Sequence, residues 1–494
     1  MTDASREQSM RRPIRRVSTL LLIMFVGLFG SSTMIQAVQA DALQADPRNT
    51  RTLYDSFAVE RGSIVVDGVQ VALSTPSNDE FEWQREYPMG PLYAHVTGYN
   101  SLGQGSRGVE DAMNEELTGT ANSQFFDQML ATLTGESPAG SSVELTIDAQ
   151  AQQAAADALG DREGAVVALD PDTGDVLAMY SSPTYDPNPF ASHSTAAVTE
   201  IYDQLLNDPD DPLFNRTIEG DLYFPGSVFK VLVLSAALES GRYTLDSEFD
   251  NPAELQLPQS SRMIRNASRE TCGPDETVTL ETAFILSCNI PFAQLGLELG
   301  QDAIAQQAAA FGYGEQLEIP LRVTPSTYPA DMDDAQTMLS SFGQFDVRVT
   351  PLQIAMTTAA IANDGTMMRP NMVDRVLAPN LDVITDPEPT ILGNPVSADV
   401  AATMRAAMEL GVEEGLATNA QIPGVRVGGK TGTAENDAAT DAPFNLWFTG
   451  YGELDDQSVA VAVVVVPDEN IVGDTSNVIA APIGRAVIEA VLNS

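Results

Sequence analysis

The sequence predicts an α/β chain of the α+β kind. An antiparallel sheet with flanking helices is assembled from both ends of one long domain, a helical subdomain is inserted between those ends, and a small strand-containing module stands in front. Three observations carry this. Ala151 to Leu159 has helical composition and is followed by two strand-like runs, Ala165 to Leu169 and Val176 to Met179. About residues 226–420 follow helical periodicity. The apolar run Val459 to Val466 and a closing helix, marked by Ile483, Val487 and Val491 at spacing four, lie near the other end.

Taken in order, Arg6, Arg11, Arg12, Arg15 and Arg16 precede an apolar segment from Val17 to about Val38, whose centre, Leu20 to Gly30, has no polar side chain. A basic flank before such a run marks an export signal or an anchor, with the basic side in the cytoplasm. The ~20-residue span a bilayer requires favours a retained anchor within residues 1–40. Ser31, Ser32, Thr33 and the Val38-Gln39-Ala40 triplet leave a cleaved signal open. The rest of the chain is expected outside the cytoplasm, at the plasma membrane.

Residues 41–145 mix short alternating runs, Ser63 to Val66 and Val69 to Leu73, with Gly and Pro turn signals, and form the small module. Residues 146–494 form the long domain. In it the turn Asp170-Pro171-Asp172-Thr173-Gly174-Asp175 joins the first two strands into a hairpin. Asn445 to Tyr451 and Val459 to Val466 are expected as buried strands.

Composition narrows the chemistry. The 494 residues include 69 acidic and 25 basic side chains, a formal net charge of -44, so nucleic acid is not an expected partner. Two cysteines exclude a disulfide-dense scaffold and a cysteine-built zinc or iron-sulfur site. Two histidines, His95 and His193, weaken a histidine-metal site or a Ser-His-Asp triad. Asn207, Asp208, Asp210 and Asp211 have calcium-ligating chemistry, but in so acidic a chain they fit an exposed loop better. No metal and no cofactor is called for.

Only two residues are lysine, Lys230 and Lys430. The first lies in Pro225-Gly226-Ser227-Val228-Phe229-Lys230, where Pro-Gly marks a helix start and a spacing of three puts the Ser227 hydroxyl and the Lys230 amine one turn apart. Serine becomes a nucleophile when a neighbouring base takes its proton, and with histidine nearly absent the candidate base is a neutral lysine. Arginine cannot lose its proton at accessible pH. A lysine serving there must drop from ~10.4 towards ~7. A second cation about 4 Å away supplies roughly 4 kcal/mol at an effective dielectric near 20, about three pKa units.

Lys430 is the only other lysine, in Gly428-Gly429-Lys430-Thr431-Gly432-Thr433. Small neighbours on a sheet edge admit a substrate backbone, and an ammonium with two hydroxyls can hold a carboxylate. Ser287-Cys288-Asn289 follows an apolar helix and offers a hydroxyl for proton relay and an amide for a substrate peptide group. A chance Ser-x-x-Lys together with a chance Lys-[Ser/Thr]-Gly is an accident of roughly three in a thousand in a chain this poor in lysine.

These three motifs, in this order, resemble those of the penicillin-binding proteins. The hairpin residues Gly164 to Pro171 and Gly174 to Met179 are similar to the opening of their transpeptidase domain. Gly343-Gln344, Thr350-Pro351-Leu352-Gln353 and Ala362-Asn363-Asp364-Gly365 are similar to the segment before their third motif. Arg61-Gly62-Ser63-Ile64 and Gly108-Val109-Glu110 resemble the N-terminal module of the class B, monofunctional group, and the short module fits the small actinobacterial penicillin-binding protein A type.

The resemblance implies a penicillin-binding transpeptidase or serine β-lactamase-like fold and a serine D,D-transpeptidase that cross-links peptidoglycan stem peptides ending in D-Ala-D-Ala and is acylated by β-lactams. It assigns Ser227 as nucleophile, Lys230 as base, Ser287 as proton relay and Asn289 as holder of the substrate amide. Lys430 with Thr431, Gly432 and Thr433 receives the terminal carboxylate, and the N–H groups of Ser227 and Thr433 hold the oxyanion. A membrane glycan polymerase of the SEDS family is the implied partner. Alternatives stay open: a D,D-carboxypeptidase or β-lactamase-type hydrolase, in which water resolves the acyl-enzyme, or a mainly scaffolding wall-synthesis protein. Cys272 and Cys288, 16 residues apart, either pair as a disulfide, contributing roughly 3 kcal/mol, or stand as separate thiols.

Overall fold

The structure, a computed structural model, describes residues 4–35, 57, 59–121, 139–220, 222–434, 444–467 and 475–493. Two compact units are formed, Met1–Ala58 with Asn78–Glu82, and Val59–Ser77 with Trp83–Ser494.

The first unit holds helix α1 (Ala4–Thr33). Its segment Arg15–Thr33 is long and apolar enough to cross a membrane. The helix runs through the polar residues that interrupt the apolar run, because Thr33 donates its hydroxyl to the carbonyl of Phe29 and so stays paired within the helix (2.9 Å). Val38-Gln39-Ala40 lies outside the described residues.

In the second unit the elements, in chain order, are β1 (Ile64–Val66), β2 (Val69–Pro76), β3 (Trp83–Glu86), β4 (Ser142–Leu145), α2 (Ala149–Leu159), β5 (Glu163–Leu169), β6 (Val176–Ser182), α3 (Lys230–Glu239), α4 (Leu280–Ile285), α5 (Asn289–Leu299), α6 (Pro351–Ala362), β7 (Val373–Leu377), β8 (Val383–Thr385), α7 (Ala398–Glu413), β9 (Arg426–Ala434), β10 (Asn445–Leu454), β11 (Gln457–Val466) and α8 (Ser476–Val491). Shorter helices and small hairpins fill the middle of the chain.

The expected sheet is present: five antiparallel strands in the order β9-β10-β11-β5-β6, joining the two ends of the long domain. The unbroken apolar run of β11 follows from burial on both faces. Val459, Val461, Val463 and Val465 pack with Ala151 and Ala155 of α2 and Ile483 and Val487 of α8, while Ala460, Ala462 and Val464 face the core of the helical block. Small residues on that second face admit α6, a helix buried almost along its whole length. Proline opens α6 and the Thr350 hydroxyl caps it by accepting from the N–H of Gln353 (3.1 Å).

The second sheet has six strands in the order β8-β7-β4-β1-β2-β3. Asp67 and Gly68, both with positive φ, form the two-residue turn of the β1–β2 hairpin. Strands β7 and β8 come from beyond residue 370, so this sheet joins residues on both sides of the boundary expected at 145/146.

The two N-terminal segments singled out in the sequence meet in the interior of this module. The Glu110 carboxylate, fully buried, accepts from Nε of Arg61 (2.5 Å) and Nε of Arg85 (2.6 Å), and the Tyr87 hydroxyl donates to it at 3.1 Å. Burial pushes the carboxyl's pKa up, but the Arg85 and Arg61 guanidiniums and their hydrogen bonds outweigh it, holding the carboxyl below its ordinary range. Removing one partner leaves two buried cations without their counter-charge. Glu110→Ala should therefore lower unfolding stability by about 3–5 kcal/mol in denaturant titration. Stability carried by Glu110 is present above its unfolded pKa and should fade as pH drops through the lower folded value; a Glu110→Gln variant that kept the same acid-limb loss would contradict the assignment.

Candidate active site

Ser227 and Lys230 sit where a short 3-10 turn, Gly226–Phe229, runs into α3. Gly226 has φ +53° and lies against β9: a Cβ there would meet the carbonyl oxygen of Thr433 at 2.7 Å. Reciprocally, a Cβ on Gly432 would stand 2.9 Å from the backbone nitrogen of Val228. Two glycines thus let the edge strand with the third motif touch the helix start with the first. Gly343 closes this corner by accepting from the Gly226 N–H (3.0 Å).

Side chains from the three motifs form one hydrogen-bonded chain. Nζ of Lys230 reaches Oγ of Ser227 (3.0 Å), the carbonyl of Ser287 (2.7 Å) and Oδ1 of Asn289 (2.8 Å). Nζ of Lys430 donates to Oγ of Ser287 (2.7 Å) and to the carbonyl of Thr431 (2.9 Å). A neutral amine has two N–H groups and one lone pair. The Ser287 carbonyl and Asn289 Oδ1 consume both donors, leaving the lone pair of Lys230 for the Ser227 hydroxyl.

The second motif is held from outside itself. Ser287 has φ +58°, an uncommon conformation for a residue with a side chain. Cys288 occupies the N-cap of α5 without a capping side-chain bond, and its sulfur is bonded to Cys272, with Cα atoms 5.9 Å apart. The cap is supplied instead by Asn266, buried and 23 residues upstream, whose Oδ1 accepts from the N–H groups of Asn289 (2.8 Å) and Ile290 (3.1 Å). Asn251 braces the other cysteine, accepting from the Cys272 N–H (2.6 Å) and donating to its carbonyl (2.9 Å). One N–H of the Asn289 amide goes to the Arg265 carbonyl (3.0 Å), which leaves its second N–H for a ligand.

Electrostatics follow from burial. Both lysines are at most 2 % exposed. Their ammonium nitrogens stand 5.4 Å from the Phe292 ring centre and 5.8 Å from the Phe284 ring centre, for Lys230 and Lys430 respectively. Loss of water pushes the Lys230 pKa well below its ordinary value, and the Lys430 charge adds to the fall. Burial lowers Lys430 to about 7. The sequence expectation gave the leading part to the second cation; desolvation leads and Lys430 comes second.

Thr431 departs from the expected set. Its hydroxyl donates to the Leu416 carbonyl (3.1 Å), tying β9 to the chain just past α7 rather than joining the lysines. Thr433 is exposed, and its hydroxyl lies 3.0 Å from that of Ser476, the first residue of α8. Ser476, Asn266 and Asn251 were not singled out in the sequence; each is a common polar residue whose role appears only once distant segments meet. His95 is buried against the Pro212 carbonyl (2.9 Å), and loss of water lowers it to about 4, a neutral packing residue. Among the described residues no group of three or more His, Cys, Asp or Glu side chains is placed to hold a metal ion.

Known proteins resemble nearly the whole chain. Residues 164–489 match the penicillin binding protein transpeptidase domain, and residues 61–143 match the penicillin binding protein A dimerisation domain. The chain is 40 % identical over 490 residues to the peptidoglycan D,D-transpeptidase PbpA of Mycolicibacterium smegmatis, covering 98 % of this chain and 99 % of that one. It is 39 % identical over 492 residues to PbpA of Mycobacterium tuberculosis strain H37Rv, with the same coverages. Among solved structures, the penicillin G acyl-enzyme complex of M. tuberculosis penicillin-binding protein A superposes with TM-score 0.83 at 38 % identity, covering 88 % of this chain and 100 % of that one.

Two outcomes are expected. The apparent second-order rate of acylation by benzylpenicillin should be bell-shaped in pH. It falls on the acid side as Lys230 gains a proton, and on the alkaline side as Lys430 loses one near pH 7; a rate that rose steadily to pH 10 would refute the assignment. Asn266→Ala should leave two buried N–H groups unpaired, costing about 1–3 kcal/mol and slowing acylation at least several-fold. Asn266→Asp keeps the acceptor but sets a carboxylate oxygen against the Glu270 carbonyl, to which Nδ2 of Asn266 donates (3.0 Å), so it should recover only part of that rate.

Proposed function

This chain belongs to the class B penicillin-binding proteins, in the penicillin-binding protein A group, and is a serine D,D-transpeptidase of peptidoglycan; from that premise we propose that Ser227 is its nucleophile and Lys230 its general base. The observation that carries the reading is the pairing of Lys230: two fixed acceptors use its N–H groups and its third neighbour is the serine hydroxyl.

In the acylation step Oγ of Ser227 bonds to the carbonyl carbon of the penultimate D-alanine while its proton passes to Nζ of Lys230. Collapse of the tetrahedral intermediate breaks the bond to the terminal D-alanine, whose amine takes a proton through Ser287. Ser287 suits that role because Lys430 donates to its oxygen, leaving its own O–H free to give. The oxyanion is held by the N–H groups of Ser227 and Thr433. The Thr433 carbonyl turned toward Gly226 supports this, since N–H and C=O of one strand residue project to the same edge. Lys430 and Thr433 receive the substrate carboxylate, Asn289 its amide. An amine of a second stem peptide then attacks the acyl-enzyme and loses its proton through Ser287, while the proton on Lys230 returns to Oγ of Ser227 as the ester bond breaks, forming the cross-link and freeing Ser227.

Residues 1–40 serve as a single-pass plasma-membrane anchor, 41–145 as a non-catalytic dimerisation or pedestal module and 146–494 as the extracytoplasmic transpeptidase domain. Support comes from the five arginines before the apolar run and the spans of the two family matches. A glycan polymerase of the SEDS family in the same membrane is the partner that supplies uncross-linked strands.

Ser227→Ala should abolish covalent labelling by a fluorescent penicillin, and surviving label would remove Ser227 from the mechanism. Lys230→Arg, which keeps the charge but not the ability to shed it, should retain no more than about one per cent of the acylation rate. With a defined uncross-linked glycan strand, mass analysis should show peptide dimers; products that were only trimmed would make the enzyme a carboxypeptidase.

A further inference from the structure

The fate of one hydroxyl proton extends the carboxylate-binding reading above, on which this inference rests. Ser476 is 2 % exposed and lies 2.5 Å from the Gly432 carbonyl and 3.0 Å from Oγ1 of Thr433. A carbonyl can only accept, so the single proton of Ser476 goes to Gly432. The hydrogen bond between the two hydroxyls is then donated by Thr433. In the unliganded enzyme Thr433, although exposed, offers the cleft only lone pairs. A carboxylate is itself an acceptor and has nothing to bind there until the Thr433 proton turns toward it.

We propose that Ser476 is a positioning residue for the terminal carboxylate of the substrate, working as the second hydroxyl of a reversible relay with Thr433. At rest the chain runs from Thr433 to Ser476 to the Gly432 carbonyl. With a carboxylate bound it reverses and runs from Ser476 to Thr433 to the carboxylate. Each hydroxyl in the reversed chain polarises the next, so the donor facing the anion is stronger than a lone threonine would be. The buried Ser476 also keeps Oγ1 of Thr433 in one rotamer, on the strand that carries Lys430. No proton is gained or lost by the pair, so the relay leaves the pH dependence set by the lysines unchanged.

The relay acts only on ligands with a carboxylate, and this separates it from a general structural role. Acylation rate constants are measured for benzylpenicillin and for its methyl ester with the full-length wild type and the Ser476→Ala, Ser476→Thr and Thr433→Val variants. The ratio of acid rate to ester rate within one variant is independent of how much of it is folded. Ser476→Ala should lower that ratio roughly tenfold, the scale of one hydrogen bond to a charged group, with the ester rate and the pH profile nearly unchanged. Ser476→Thr, which keeps the hydroxyl, should restore most of the ratio. If Thr433→Val lowers the ratio while Ser476→Ala keeps or raises it, the relay is overturned and Thr433 acts alone. If Thr433→Val leaves the ratio untouched, it is the assignment of Thr433 to the carboxylate that fails.

Discussion

The arrangement of the site depends on one buried amine. Lys230 is fully enclosed, and an ammonium there must be compensated or must lose its proton. Among the described residues its hydrogen-bonding partners are three oxygens, none of them a carboxylate. That balance weakens the charged state without excluding it, which a base that must alternate between two protonation states requires. A carboxylate in place of any of these oxygens would hold the proton on the lysine, and a wholly apolar pocket would keep it off. The same three contacts fix where the second motif must be, because two of the oxygens belong to Ser287 and Asn289.

From that follows the investment in holding residues 287–289 still. The segment enters α5 with a strained serine and a cysteine that does not cap the helix, so its geometry cannot come from its own sequence. Asn266 supplies the cap, the Cys272–Cys288 bond ties the turn to the preceding loop, and Asn251 ties that loop to itself. On the opposite side the fold meets the same demand with absent atoms. Glycine at 226 and 432 lets an edge strand and a helix start approach to backbone contact, placing the Thr433 peptide beside Ser227. Strand β9 belongs to a sheet whose other strands come from both ends of the long domain, and α2, α6 and α8 cover that sheet. A rigid edge for the third motif thus comes from residues that carry no chemistry.

Much of this was legible in the sequence because it rests on local pattern. The hairpin around Asp170 to Asp175, the alternating valines and alanines of β11 and the apolar spacing of α8 each follow from periodicity over a few residues. The two lysines stood out because the chain has no others and arginine cannot be the base beside Ser227. What escaped was set by contacts between distant segments. Asn266, Asn251 and Ser476 are ordinary polar residues until α5, the loop before it and α8 are assembled. Thr431 looked equivalent to Thr433 along the strand, but the carbonyl of Leu416 beyond the end of α7 takes its hydroxyl. The exchange of β7 and β8 into the N-terminal sheet pairs residues more than 200 positions apart, with no mark in either strand alone.

The composition bears on the lysines in a direction opposite to intuition. A net charge of -44 favours every cation on the chain, and on its own would raise the lysine pKa values and keep Lys230 protonated. Solvent and salt confine that field: exposed charges beyond a Debye length of about 8 Å are largely screened at physiological ionic strength. Inside the site no such screening operates, and loss of water is the leading cause for both amines. Local burial therefore decides the outcome against the sign of the whole molecule. An acidic surface that suits solubility and a base that must be neutral can coexist in one chain because the first is read through water and the second is not.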